Sequence, residues 1–330
     1  MPIQIAIAGL EFGAKVLLPA FRRDNRCSVA ALCGSSLEKA VVVGKACGID
    51  RVYGDWRKML NEVALDALVI STPPGIQVAI AEQALRQNLA VFAEKPLGVT
   101  AQDTQRLCAL SVGKTTMVDF EFVELDVWRR ARPCVEKLRR PVKLDVVWNV
   151  MTYAAQHHTR NWRCDVNHGG GALHVFGSHV LYNLEWFLGK IARLSSRLTK
   201  SAADPRDTHT GVTLNVEFCD GSEAKVAIDT RFEGEPEHVW NFNDEVIVEN
   251  RGKDYMSHWR LLHNQRCVAT TELSGEDGRI AVVSKMASGF LDAVISKAGT
   301  AIDFEAVHRV QTLIEAALES NRKGVTVTIR

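Results

Sequence analysis

The 330-residue chain is 46% apolar with a net charge of +1, enough apolar residues for real cores in about two domains. So even a charge balance leaves no general field for nucleic acid or an anionic membrane surface. No apolar run reaches the ~18 residues of a membrane span, and the eight cysteines contain no Cys-x-x-Cys pair, which argues for reduced, buried thiols in a cytoplasmic protein and against a disulfide framework or a zinc site.

The chain is expected to enter a strand at once, over residues 3–8, with no cleavable leader pattern before it. Gly9-Leu10-Glu11-Phe12-Gly13-Ala14 then opens a helix through Val16, Leu17, Leu18 and Phe21. This is the place for a dinucleotide turn, where glycines let backbone amides approach a pyrophosphate. Against Gly-x-Gly-x-x-Gly/Ala, however, Glu11 stands where the second glycine belongs. Its carboxylate either swings to solvent, leaving Gly9 and Gly13 to make the turn, or closes the phosphate groove.

A second strand over 28–33 ends in Gly34-Ser35-Ser36, without the Asp or Glu that binds a ribose 2′-hydroxyl roughly 20 residues after the turn. Small hydroxyls with Lys39 nearby suit a 2′-phosphate, so NADP(H) is preferred and NAD(H) is the second choice. A helix over 37–46, a short strand at Val52-Tyr53 and a helix over 56–62 follow. Then come a strand ending in Ser71-Thr72-Pro73-Pro74 and a helix through Ala79, Ile80, Ala84 and Leu85.

Ala90-Val91-Phe92-Ala93-Glu94-Lys95-Pro96-Leu97 is an apolar strand ending abruptly in a carboxylate, an ammonium and a proline. A lysine placed there sits at the sheet rim with little freedom, because Pro96 stiffens the turn. The plain alternative is a surface lysine satisfied by Glu94. A helix through 104–110 and a last strand over 116–122 complete a strand and helix alternation. Its almost purely apolar strands indicate a doubly wound parallel sheet, an α/β Rossmann domain over 1–121.

From residue 122 the pattern changes. A helix through Val127, Trp128, Val135 and Leu138 carries Arg129, Arg130 and Arg132 on its wet side. Strands are expected over 142–150, 193–198, 212–218, 224–230, 245–249 and 325–329, with Asp220-Gly221 as a type I′ hairpin turn. Helices are expected over 291–295 and 304–318. These make a second, α+β domain over 122–330, with the helix of 304–320 expected to pack back on the first.

Between them lie His157-His158-Thr159-Arg160-Asn161-Trp162-Arg163 and Gly169-Gly170-Gly171-Ala172-Leu173-His174-Val175-Phe176-Gly177-Ser178-His179. The glycines allow a helix N-terminus to approach a ligand, and His179 lies inside the helix that follows. His157, His158, His168 and His174 read as surface or capping residues, and the loose cluster lacks metal-ligand spacing.

The Gly9 turn, Ser71-Thr72-Pro73-Pro74, Glu94-Lys95-Pro96-Leu97 and the triple-glycine run together resemble the Gfo/Idh/MocA oxidoreductases, almost to the C-terminus. The resemblance implies a C-terminal domain with an open, mainly antiparallel sheet. It also implies a nicotinamide beside Lys95, and a catalytic role for His179 alongside Lys95. Gly9, Glu11, Phe12, Gly13, Ser35, Ser36, Ser71, Thr72, Pro73, Glu94 and Lys95 would then line the cofactor site. The family's aspartate, four residues before the histidine, is replaced by Val175; His174 is its neighbour, but adjacent helical residues face different ways.

The expected activity is therefore hydride transfer between NADP(H) or NAD(H) and a sugar, cyclitol or related carbonyl or imine. His179 would be the proton donor or acceptor and Lys95 the group orienting the substrate oxygen, with these roles exchangeable. Glu121, Arg163 and Tyr182 are the substrate-facing candidates. The alternative is a degenerate family member that binds a ligand or regulates, motivated by Glu11 and Val175. Apolar residues pointing outward from strands such as 212–218 would suit burial in a homodimer or a higher homo-oligomer.

Overall fold

The computed structural model describes residues 2–201, 208–252, 256–271 and 277–329, and the chain forms two compact units. In the first, strands β1 (Ile3–Ala8), β2 (Cys27–Cys33), β3 (Val52–Tyr53), β4 (Ala67–Ile70), β5 (Ala90–Ala93) and β6 (Thr116–Val118) form one sheet in the order β3-β2-β1-β4-β5-β6. Every pairing is parallel. Four-residue strands such as β4 and β5 are buried throughout, as strands covered on both faces must be.

The connecting helices are α1 (Leu18–Arg22), α2 (Leu37–Cys47), α3 (Trp56–Glu62), α4 (Pro74–Arg86) and α5 (Ala101–Ser111). Side chains start most of them: Ser36, Asp55 and Thr100 each accept from a backbone N–H of the first turn, and Thr100 with Asp103 closes a capping box. A π-helical turn over Gly13–Leu17 precedes α1. The last strand is shorter than the apolar run suggests. After Val118, Asp119 N still donates to Ala93 O at 2.9 Å, but Phe120 N turns back onto Val118 O and Glu121 opens a 3-10 turn.

The second unit holds α6 (Asp126–Glu136), β7 (Lys143–Asn149), α7 (Tyr153–Gln156), α8 (Ser178–Leu188), β8 (Ile191–Thr199), β9 (Gly211–Phe218), β10 (Glu223–Asp229), β11 (Glu237–Phe242), β12 (Val246–Arg251), β13 (Trp259–His263) and β14 (Arg266–Thr271). With β15 (Val327–Thr328) these strands form a nine-stranded sheet in the order β14-β13-β12-β11-β7-β10-β9-β8-β15. All neighbours are antiparallel except β7 and β10.

Alternation decides which face is covered. Val212, Leu214, Val216 and Phe218 of β9 are buried while Thr213 and Asn215 are exposed, and β10 repeats the pattern with Lys225 outward. The apolar residues of 212–218 therefore face the core of their own unit, and the expected outward apolar stripe is absent. The β9–β10 connection is also not type I′: Asp220 is not among the residues of positive φ, and Gly221 alone takes it, at +81°. Four residues, 219–222, make the loop, a length usually built on a type I turn.

Strands β11, β13 and β14 were not anticipated. In β11 the inward positions are His238, Trp240 and Phe242, all buried, and a histidine reads as polar in a periodicity argument. The edge strand β14 is mostly exposed and offers little alternation.

Two helices complete the chain. α9 (Gly278–Ser296) is far longer than the 291–295 segment, because packing outweighs the weak helix propensity of Val282, Val283 and Gly289. It belongs to the first unit, although residues 276–309 lie within the span read as a second domain. Phe290 meets Phe21 and Phe92 edge-on, with centroids 6.3 and 5.7 Å away. In α10 (Phe304–Lys323) the start bonds to the first unit through Phe304 O and Cys108 Sγ, and through His308 Nδ1 and Thr104 Oγ1. Further along, Ala317 O accepts from Ser196, and Asn321 Oδ1 accepts from Leu198 N in the second. All eight cysteines are free thiols; Cys219 and Cys267 are exposed, against the expectation of burial, while burial pushes Cys33 up to about 12.

Candidate active site

In the first unit the strand order reverses between β1 and β4, which places a crevice at their carboxyl ends. Gly9 follows β1 with φ +120°, and a Cβ there would lie 2.1 Å from Ser71 O. Only glycine lets this turn lie against the end of β4. At Gly13 a Cβ would be 3.1 Å from Ile7 and 3.5 Å from Ser71 Cβ, so the helical turn packs closely on the strands. Thr72 Oγ1 is buried with no hydrogen-bond partner among the described residues.

Glu11 does not close the groove. Its side chain is 90% exposed, and its carboxylate takes a hydrogen bond from Lys15 Nζ at 2.8 Å. That bond and the Lys15 charge hold its pKa below the usual carboxylate range, with a smaller pull from Lys39. Phe12 lies under the Arg279 guanidinium, 5.3 Å from its ring centroid. Ser36 is occupied as the cap of α2, accepting from Lys39 N at 3.3 Å, whereas Ser35 and Lys39 are exposed. A tight glycine turn, an unpartnered buried hydroxyl and a neutralised Glu11 fit a dinucleotide.

Beside this crevice, Glu94 and Lys95 leave β5 half-buried, and Pro73 with Pro74 starts α4. From α4, the fully buried Gln77 reaches across to the same turn. Its Nε2 donates to Glu94 O at 2.5 Å and to Pro96 O at 3.0 Å, clamping the carbonyls on either side of Lys95. Nothing in the sequence marks Gln77, because one polar residue on a helix otherwise reads as a solvated position. Asp119 and Glu121, from the end of β6, are buried next to Glu94 and Lys95. Glu121, expected to face the substrate, is buried, and Asp119, within the expected strand over 116–122, lies just beyond the end of β6.

In the second unit, a π-helical turn over Leu173–Gly177 runs into α8, so Val175 and His179 are not separated by a plain α-turn. His179 is buried, its ring 5.0 Å from Phe122 and 6.1 Å from Trp148. Tyr182, three residues on, is half-buried, and Arg163 is exposed with its guanidinium 4.7 Å from the Trp162 ring centroid. His168 pairs with Asp165 at 2.8 Å, and His157 lies against Tyr153, so both are structural.

His174 is not a surface residue. It is buried, and burial pushes it down to about 4. His209, unmarked in the sequence, holds the glycine run: its Nε2 accepts from Leu173 N at 3.0 Å and its carbonyl from Ala172 N at 3.1 Å. A Cβ on Gly171 would lie 2.4 Å from the same ring, which explains that glycine. Burial, then the charges of His174 and Lys200, lower His209 to about 4. His238 stacks on Trp148 at 4.0 Å and accepts from Trp240 Nε1 at 2.8 Å; burial pushes it down to about 3, so it stays a neutral acceptor.

Residues 3–122 match the family model "Oxidoreductase family, NAD-binding Rossmann fold", and residues 142–247 match the "GFO/IDH/MocA C-terminal domain". The chain belongs to the Gfo/Idh/MocA family. It is an NAD-binding oxidoreductase of that family, with a parallel Rossmann sheet followed by a mainly antiparallel one. An uncharacterised oxidoreductase of Synechocystis sp. is 24% identical over 89% of this chain and 87% of its own length. D-glucoside 3-dehydrogenase of Escherichia coli is 26% identical over 57% of this chain and 54% of its own. A levoglucosan dehydrogenase complex with NADH superposes with a TM-score of 0.89 at 16% identity over the whole of both chains, a likeness of fold. No helix among the described residues is long and apolar enough to cross a membrane, and none of their His, Cys, Asp or Glu residues group as metal ligands.

Proposed function

We propose that this Gfo/Idh/MocA protein transfers a hydride between a nicotinamide cofactor and a sugar, cyclitol or related carbonyl or imine. The observation that carries the reading is Lys95, held at the carboxyl edge of β5 by the Gln77 clamp, beside a glycine turn that fits a dinucleotide. The nicotinamide supplies or accepts the hydride. Gly9, Phe12, Gly13, Ser71, Thr72, Pro73 and Glu94 would hold the cofactor, with Glu11 turned outward. Lys95 orients the substrate oxygen and exchanges its proton. His179, argued from its own unit, is the second proton-transfer group, and the two roles are exchangeable. Arg163 and Tyr182 are proposed to meet the substrate.

Relatives named for D-apiose, D-glucosides and inositol support the polyol class. Val175 in place of a carboxylate favours imine or keto reduction, which needs a proton donor more than a strong acceptor. The same substitution favours a second reading, a ligand-binding or regulatory protein without turnover. The eight free thiols support residence in the cytoplasm. A homodimer or larger homo-oligomer belongs to this reading on the breadth of the nine-stranded sheet, not on outward apolar residues.

For the cofactor we propose NADP(H) over NAD(H), supported by exposed Ser35 and Lys39 and the absence of an acidic residue directly after β2. Fluorescence titration with NADPH and NADH tests both parts. Tighter NADPH binding is expected, weakened about tenfold in Lys39→Ala with NADH binding unchanged, the size of one charged hydrogen bond. Equal or tighter NADH binding removes the NADP assignment; binding of neither removes the enzyme reading.

A further inference from the structure

Asp119 poses a problem of charge. It is 1% exposed, and among the described residues no N–H or O–H donor reaches either carboxylate oxygen. The side chain within hydrogen-bonding reach is the carboxyl of Glu94, at the end of the adjacent strand. Two carboxyls can bond only when one carries a proton, since each ionised form is an acceptor alone. A buried, unsolvated carboxylate beside another would be far costlier. Glu121, two residues on, adds a third buried carboxyl, within the electrostatic influence of Lys95, Glu94 and Arg279 of α9.

We infer that Glu94, Asp119 and Glu121 form a proton store behind Lys95: one proton lies between Asp119 and Glu94, and the charge of the buried Glu121 biases the proton that Lys95 exchanges with substrate. The second part rests on the proposed activity; the first does not. In alcohol oxidation the hydroxyl proton must pass to a protein group, and an ionised Glu121 favours a protonated Lys95 where a neutral Glu121 does not.

The electrostatics agree in direction. Burial, then the charges of Glu94 and Glu121, raise Asp119 well above the usual range. Burial raises Glu121 to about 7 against the opposing pull of Lys95, with Glu94 adding to the rise. Glu121 is therefore neutral below that pH and charged above it, near working pH.

The test needs no substrate. In the cofactor-free protein with 13C-labelled Asp and Glu side chains, carboxyl resonances are followed against pH and assigned with Asp119→Asn, Glu94→Gln and Glu121→Gln. Asp119 is expected to remain protonated at neutral pH. Glu121 is expected to titrate near 7 in wild type and about 1 pH unit or more higher in Lys95→Met, which removes the opposing charge. An ionised Asp119 at pH 7, or a Glu121 midpoint unmoved by Lys95→Met, overturns the store. A store that titrates as expected in a protein that binds no nicotinamide leaves the proton pair standing and sinks the oxidoreductase reading instead.

Discussion

Lys95→Met is expected to lower hydride transfer by ~10²- to 10⁴-fold, the usual contribution of a positioned proton-transfer group, while leaving nicotinamide binding in place. That loss corresponds to about 3 to 5 kcal/mol of transition-state stabilisation. The expectation rests on placement. Gln77 fixes the backbone on both sides of Lys95, so the side chain starts from a turn with little freedom at the carboxyl end of β5, and a methionine fills similar space without a proton to exchange. Lys95→Arg separates the two roles, because a guanidinium keeps the charge and the donors but does not release its proton at working pH. If orienting the oxygen is the main task, Lys95→Arg recovers much of the rate; if proton exchange is, it does not. Single-turnover absorbance of the reduced nicotinamide, over a panel of sugars and cyclitols, is the measurement. Wild-type rates in both Lys95→Met and His179→Ala would remove the assigned roles.

Gly9→Ala is expected to abolish nicotinamide binding and to destabilise the protein by about 3 kcal/mol or more. Two costs combine at this position. A φ of +120° is a backbone state that L side chains rarely adopt, and the new methyl would overlap the Ser71 carbonyl, 2.1 Å from its oxygen and 2.6 Å from its carbon. Because the obstacle is backbone, relief requires β1 and β4 to part at the crevice. Gly48→Ala is the matched control: its φ is also positive, +65°, yet nothing lies within 4 Å of the added atom, so only the conformational cost of about 1 kcal/mol is expected. Urea unfolding midpoints of the two variants compare them directly, and an unchanged midpoint for Gly9→Ala would contradict the geometry.

Much of the first unit was legible in the sequence, because its strands are continuous apolar runs separated by helices that carry their own caps. The edge lysine, the glycine turn and the triple-glycine run were visible for the same reason: a glycine or a charged residue breaks an apolar pattern where the chain turns. What escaped was polar material inside the core. His238 hid strand β11, His209 gave no hint that it grips the glycine run, Gln77 reads as an ordinary surface residue, and Asp119 reads as part of the strand over 116–122. Each is satisfied, or left unsatisfied, by groups distant in sequence, and periodicity carries no information about such partners. The π-helical turns before α1 and α8 escaped too, since a single inserted residue leaves the apolar spacing almost unchanged.

The discontinuity of the first unit bears on how the chain is made. Phe21 and Phe92 are synthesised early, but the third ring of their cluster, Phe290, arrives only after the whole of the second unit's sheet up to β14 has been translated. At ribosomal speeds of roughly 5–20 residues per second that interval is on the order of ten seconds or more. For that time the nascent Rossmann half must wait with an uncovered aromatic face, and chaperone protection would matter most in that window.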